Sequence, residues 1–467
     1  MTKQIRLNAF NMNCVGHIHH GLWKHPRDNS VDYRKPGYWI ALAQLLEKGL
    51  FDAVFLADIV GVYDVLGDGI DVTAREAVQL PVNDPAYVVP LMAQATQHLG
   101  FGVTANLTYE HPYLFARRFA TLDHLSGGRV GWNIVTGYLD SAARGVGLKQ
   151  QIDHDDRYDR GDDFMDAFYK LLEGGWEDDA VVNDRVRGIY ADPAKIHRIR
   201  HDGPFYKVDN VYNLTEPSPQ RTPVLFQAGA SKRGNAFAGR HAECVFTGGQ
   251  DRPALAKMVA AIRGEAVEAG RERDDVKVFS YLTVVVDSNE RAARDKYDEY
   301  LAYASPEGAL AHFVSGAGVD LDRFGLDEEI TDEKLEALYP GRLRRVGEAR
   351  GGGFAPGTTR RKLLDARRFG SQQAPIVGTP SQVADEIARI VAETDLDGFN
   401  LTRTVAPECY RDFIELVIPE LQGRGLYKTA YEEGTLREKL FGAGRARLPG
   451  NHHGAQFRHG HQRSGHR

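Results

Sequence analysis

The chain has 467 residues, 42% of them hydrophobic and 26% charged, a balance that excludes intrinsic disorder and allows a large buried core. A formal net charge of −6 leaves no broad basic field for a nucleic-acid backbone, and no stretch approaches the roughly 20 apolar residues that cross a bilayer. The opening MTKQIRLNAF lacks a signal-peptide core, and Cys14, Cys244 and Cys409 are too scattered for a disulfide framework, so a reduced, cytoplasmic protein is expected.

In chain order, eight β-rich runs alternate with segments of helical period. They are IRLNAF (5–10), FDAVFLA (51–57), GFGVTAN (100–106), RVGWNIVT (129–136), TPVLFQA (222–228), ECVFTG (243–248), VKVFSYLTVVV (276–286) and DGFNLT (397–402). Between the first two, Trp39, Leu42, Leu45 and Leu46 fall on one helical face, with Gly49 as a stop. Repeated βα units without a Gly-rich fingerprint after the first strand predict a (β/α)8 TIM barrel rather than a doubly wound sheet. The expected organisation is one barrel domain over 1–442, with long insertions near 60–85, 137–221 and 303–375 at its C-terminal face. The Gly- and Arg-rich stretch 344–362 reads as a mobile lid, and the His-rich 443–467 as a flexible, polar tail.

In such a barrel the chemistry lies at the strand ends. The first strand leads to Cys14, His17, His19 and His20, the second to Asp58 and Tyr63, the third to Thr104 and Asn106, and the fourth to Asn133, Thr136 and Tyr138. After the fifth comes QAGASKRG, in which small residues and Ser231 open a helix and offer free N–H groups to a single phosphate. Lacking both a P-loop and a dinucleotide motif, this turn suits a mononucleotide such as FMN, with Lys232 and Arg233 either adding charge or remaining solvated. In HDDRYDR, His154 and Tyr158 stand four apart on one helical face. The HxH of His17 and His19 opens a rival reading, a metal-dependent amidohydrolase, but strands five and six end in QAGAS and FTGG without further histidine ligands. Cys14 reads either as a small buried hydrophobe or as a pocket thiol.

Long stretches, among them NAFNMNCVGHIHHGLWKHP (8–26), LAQLLEKGLFDAVFLADIVGVYDV (42–65), REAVQLPVNDP (75–85), YEHPYLFARRFATLDHLSGGRVGWNIVT (109–136), HDDRYDR (154–160), EPSPQRTPVLFQAGAS (216–231) and YEEGTLREKLFG (431–442), carry a family resemblance. The chain resembles the luciferase-like, FMN-dependent monooxygenases of the nitrilotriacetate and dibenzothiophene-sulfone group, most of all its long-chain alkane branch and then its dimethylsulfide branch. The resemblance implies a two-component enzyme: reduced FMN from a separate NAD(P)H-dependent reductase reacts with O2 through a C4a-(hydro)peroxyflavin, in a homodimer or homotetramer. It implies FMN contacts at Asp58, Thr104, Gly137, His154, Tyr158, Ala230 and Ser231, with the phosphate near Tyr158 and Ser231. It places Cys14, His17, Tyr63, Gln79, Tyr138 and His312 in the pocket before the flavin, where His17 or Tyr63 would hydrogen-bond the oxygen adduct and His17 would give or take a proton near neutral pH. Tyr138 stands where the alkane branch carries histidine and the dimethylsulfide branch tyrosine. Terminal hydroxylation of a long-chain alkane is the first expectation, S-oxygenation of a small sulfide or sulfone the second, N-dealkylation of an aminopolycarboxylate the third, and an inactive flavin-binding barrel the non-enzymatic alternative.

Overall fold

Eight parallel strands close into a barrel in a computed structural model that describes residues 3–229, 231–249, 251–342, 354–370 and 374–459. The strands are β1 (Arg6–Met12), β2 (Ala53–Ala57), β3 (Gly100–Asn106), β4 (Val130–Val135), β5 (Val224–Ala228), β6 (Cys244–Phe246), β7 (Lys277–Leu282) and β8 (Gly398–Thr402). Each pairs with its neighbour in the chain, and β8 returns to β1 with Asn8 opposite Asn400, whose side chains share a hydrogen bond of 2.9 Å. All eight β-rich runs therefore become barrel strands. The seventh is shorter than its run: Val284–Val286 leaves the barrel to pair in parallel with Ile376–Gly378. Three consecutive buried valines have no polar face, and so suit a strand covered on both sides.

The helices that matter for the site are α1 (Pro36–Lys48), α2 (Pro112–Ser126), α3 (His154–Gly174), α4 (Lys232–His241), α5 (Arg252–Glu268), α6 (Glu290–Tyr303), α7 (Pro306–Ala317) and α8 (Pro380–Thr394). Among the described residues, no helix is long and apolar enough to cross a membrane. Apolar faces of these helices and the outward strand residues form the main core, while the barrel interior is filled by Phe10, Phe55, Phe226, Phe246 and Phe279. Rings of this size need small neighbours. A Cβ on Gly102 would lie 2.9 Å from the Phe55 ring, and one on Gly131 2.6 Å from that of Phe226. At the N-terminal end, Leu436 and Leu440 of the helix Leu436–Phe441 plug the barrel, so tightly that a Cβ on Gly100 would meet Leu436 Cδ1 at 2.6 Å. The barrel is thus a filled, sealed cup whose chemistry belongs at the C-terminal mouth.

The long insertions build the walls of that mouth. Residues 137–221 hold α3 and two antiparallel hairpins, Val181–Asp184 with Ile189–Ala191 and Arg198–Asp202 with Lys207–Tyr212. The 303–375 insertion has its own core of Leu310, Val314, Leu321, Phe324, Ile330, Leu335 and Leu363, into which Leu66 of the 60–85 insertion also packs. Of the expected lid, residues 343–353 lie outside the described residues; 354–362 run into the helix Arg360–Ala366, and Arg367 lies 3.9 Å over the Phe313 ring. The expected flexible tail is corrected in part. Residues up to 459 pack along α3: His452 is buried and its Nε2 bonds His241 O at 2.9 Å, while Arg458 Nε donates to Glu173 Oε2 at 2.5 Å. Histidine counts as polar in a composition, yet its ring packs like an aromatic: His452 stands edge-on to Tyr169 and His453 edge-on to Phe457. Residues 460–467 lie outside the described residues.

Candidate active site

A cleft of about 300 Å³ opens at the mouth, between the ends of β2 to β5 and the first turn of α3. Asp58, Gly137, His154 and Tyr158 line it together, joined by Asn106, Arg157, Gln227 and Phe237. The four-residue spacing puts the rings of His154 and Tyr158 edge to face at 5.1 Å, and Tyr158 leans on Phe237 of α4 at 5.4 Å. Its hydroxyl consequently reaches the turn after β5. A Cβ on Gly229 would sit 3.2 Å from it and one on Gly234 2.8 Å, so only glycine leaves that corner open. Ser231 caps α4, its Oγ accepting from Gly234 N at 3.0 Å.

This corner unites a tyrosine hydroxyl, a serine hydroxyl and a helix N-terminus, with the guanidinium of Arg157 in the same cleft. That donor set suits a phosphate dianion. Arg157, which the sequence reading passed over, is buried, its guanidinium held by Ile152 O at 2.6 Å; its place next to Tyr158 in HDDRYDR was the available signal. Arg233 does not serve the corner, because its guanidinium bonds Asp159 and Asp162 and stitches α4 to α3. Gln227 spends Nε2 on Tyr158 Oη (3.4 Å) and Ala228 O (3.1 Å), while its buried Oε1 has no partner among the described residues. Thr104 of β3 is not among the residues that line the cleft; it accepts from Asn133 Nδ2 at 2.8 Å, and Asn133 Oδ1 likewise has no partner among the described residues. A corner of hydroxyl and helix-N-terminal donors beside a guanidinium, and glycines where any Cβ would intrude, suit the phosphate of a flavin mononucleotide, and the residues present fit that group. Ala230 lies outside the described residues. Burial, reinforced by Asp84, lifts the Asp58 carboxyl to about 8, so at neutral pH it is an O–H donor.

Beside the cleft runs a second set of side chains. Gln79 Nε2 donates to His17 O at 2.9 Å, which fixes its amide and makes Oε1 the acceptor of the Tyr63 hydroxyl at 2.8 Å. Since the single Tyr63 proton is spent there, the 3.0 Å contact between the Tyr63 and Tyr138 hydroxyls has Tyr138 as donor. Tyr63 also stacks on His312 at 4.9 Å, and His312 Nδ1 lies 3.0 Å from Nε2 of His20, a partner the sequence reading did not assign. Desolvation raises the pKa of Tyr63 and Tyr138 and lowers that of His17, His20 and His312, the last to about 4. Every group in this network is neutral near pH 7.

This corrects the expectation that His17 exchanges a proton near neutrality. Its ring is buried, edge-on to Phe10 at 4.5 Å, and its Nδ1 has no partner among the described residues, which makes it a neutral hydrogen-bonding group. Cys14 is the small buried hydrophobe of its two readings: its Sγ donates to Gly16 O at 3.0 Å and burial lifts the thiol to about 12. His19 engages both ring nitrogens, with Phe369 O and with Thr402 Oγ1 at 3.0 Å, so the HxH pair offers no two free ligands to a metal.

The loop carrying these residues is held from two sides. Gly16 bridges Val78 and Cys14 bridges Val82, and a Cβ on Gly16 would stand 2.2 Å from Ala77 O. Gln79 itself has a φ of 50°, a strained conformation of the kind met at functional sites. From below, the buried guanidinium of Arg403 donates to Asn11 Oδ1, Val15 O and, at 3.4 Å, Cys14 O.

A family model described as luciferase-like monooxygenase matches residues 18–397. The long-chain alkane monooxygenase of Geobacillus thermodenitrificans is 49% identical over 98% of this chain and 99% of its own, and the dimethyl-sulfide monooxygenase of Hyphomicrobium sulfonivorans 46% over 98% and 94%. Among solved structures, a long-chain alkane monooxygenase superposes with a TM-score of 0.90 at 47% identity, covering 98% of this chain and 100% of that one. A riboflavin lyase, crystallised with modified FMN and riboflavin, superposes with a TM-score of 0.90 at 40% identity over the same shares.

Proposed function

The chain belongs to the luciferase-like monooxygenase family, and from that premise we propose that it is the oxygenase of a two-component system, taking reduced FMN from a separate NAD(P)H-dependent flavin reductase, with O2 as co-substrate. The observation that carries the reading is the corner where Tyr158, Ser231 and the N-terminus of α4 meet, with Arg157 in the same cleft. FMN would be held there by its phosphate, with Asp58 offering a proton donor in the same cleft. When bound, reduced FMN supplies the electrons that activate O2.

The chain's own residues then have three tasks. The aromatic filling of the barrel, with its plug of Leu436 and Leu440, keeps bulk water from the reacting face. The Tyr138–Tyr63–Gln79 relay points donors in one direction, toward the main chain at His17, and holds a phenolic proton at Tyr63 Oη. Neutral His17 and His312 hydrogen-bond without adding charge, so a proton given up in the pocket comes from a phenol or from Asp58, not from an imidazolium.

For the substrate we favour terminal hydroxylation of a long-chain alkane, on the likeness to the alkane enzyme along nearly the whole chain. Oxygenation of a small sulfide is the second reading, favoured by Tyr138, which matches the dimethylsulfide branch in kind. Assembly as a homodimer or homotetramer belongs to the same proposal. The experiment is to supply purified protein with FMN, a flavin reductase, NADH and O2, and to analyse products by mass spectrometry from long-chain n-alkanes and from dimethyl sulfide. A 1-alkanol supports the first reading and dimethyl sulfoxide or a demethylated thiol the second; neither product overturns both.

A further inference from the structure

Tyr138 and Leu139 line two cavities at once: the cleft described above and, on its far side, a chamber of about 430 Å³ between the 60–85 insertion and the C-terminal end of α7. We propose that this chamber is the antechamber through which an uncharged organic substrate reaches the flavin cleft, and that Tyr138 is the gate between them. The proposal rests on the flavin-dependent reading above and adds an entry site and a specificity-determining residue.

The gate has the parts a moving side chain requires. The residue is 41% exposed and lines both cavities, although its hydroxyl points inward to Tyr63 at 3.0 Å. That single hydrogen bond is the latch, and an aromatic ring held by one hydroxyl swings once the bond opens. Directly before it, Gly137 takes a φ of +71°, a hinge that any other residue would strain, and a Cβ there would strike Asn106 Nδ2 at 2.4 Å. Across the ring stands Gly316 of α7, where a Cβ would already be in van der Waals contact with Tyr138 Cε2 at 3.9 Å. Glycine at that point leaves the space into which the ring can turn, and a branched side chain would fill it.

The chamber walls indicate the guest. Four acids, Asp64, Asp68, Asp140 and Asp320, face three bases: Asp64 pairs with Arg144, Asp140 with Arg342 and, within one turn of chain, Asp320 with Arg323, which leaves the lining with an excess of one negative charge. A neutral molecule passes without disturbing these pairs. An ionic one must break a pair or remain unpaired in a partly desolvated space, which costs more. The chamber therefore admits uncharged guests and discriminates against polycarboxylates, in keeping with alkanes and sulfides and against an aminopolycarboxylate.

The test uses FMN-loaded protein and the quenching of bound-flavin fluorescence by two small probes, neutral acrylamide and anionic iodide. Y138A should raise the acrylamide quenching constant at least threefold, read for each protein at an FMN load fixed by its own titration. Y138F, which loses only the latch, should raise it by a smaller factor, and G316L should bring it to the wild-type value or below. Iodide should gain less access than acrylamide in Y138A. An acrylamide constant unchanged in both Y138A and Y138F overturns the gate, and equal gains by the two probes overturn the selection for uncharged guests. Should the wild-type protein bind no FMN, the flavin reading itself falls, a result that the FMN titration separates from failure of the gate.

Discussion

Tyr158 is where the account is most concentrated. Its hydroxyl sits against Gly229, Gly234 and Gln227 in a corner that every larger residue would close. A hydrogen bond to a charged partner is worth about 1.5–3 kcal/mol, so Tyr158→Phe should weaken FMN binding by at least about tenfold in a fluorescence titration while leaving the melting temperature unchanged. Tyr63 tests the other side of the site. Tyr63→Phe removes the proton held for Gln79 and the acceptor for Tyr138, and should cut product formation by about a hundredfold or more with FMN affinity intact. Loss of both together would make Tyr63 a structural residue instead.

At the level of elements, the decisive contact is the crossing of the loop after β1 with residues 77–79. Gly16→Ala would force a Cβ to 2.2 Å from Ala77 O; the expected cost is about 1–3 kcal/mol, read as a lowered melting temperature and lost turnover with the barrel's circular-dichroism signature kept. Much of this level was legible in the sequence. The eight strands follow from β-rich runs between helical periods, and the four-residue spacing of His154 and Tyr158 correctly gave their shared face. What escaped was the part that depends on contacts distant in sequence. Arg157 and Arg403 look like ordinary surface charges until the fold buries them, and His20 gains its role only because α7 brings His312 to it from 292 positions away. Likewise, nothing in a histidine-rich tail announces that Tyr169 waits to pack against it.

Over the whole molecule burial outweighs ionisation, and the histidines packed at the mouth and under the C-terminal tail alike are held neutral. That neutrality has a thermodynamic consequence. His19, His241 and His312 titrate at about 4, and His17, His20 and His452 also lie well below their ordinary value. On acidification the unfolded chain therefore takes up protons first. The stability these groups supply is full above about pH 6.5 and is lost as the pH falls toward 4, at no more than about 1.4 kcal/mol per pH unit for each. Asp58, lifted to about 8, and Asp123 and Asp412, which burial also raises, work in the opposite sense and favour the fold in acid, but they are three groups against six. The melting temperature should drop steeply between pH 6.5 and 4.5, and a flat profile in differential scanning calorimetry would refute the buried, neutral state of the cluster.

The measurement closest to the centre of the account is a calorimetric titration of the purified protein with FMN and, under anaerobic conditions, reduced FMN. The account predicts one saturable site per chain for the reduced form, weakened at least about tenfold when Tyr158→Phe and Ser231→Ala are combined. Absence of saturable binding, or full binding by that double variant, would contradict it.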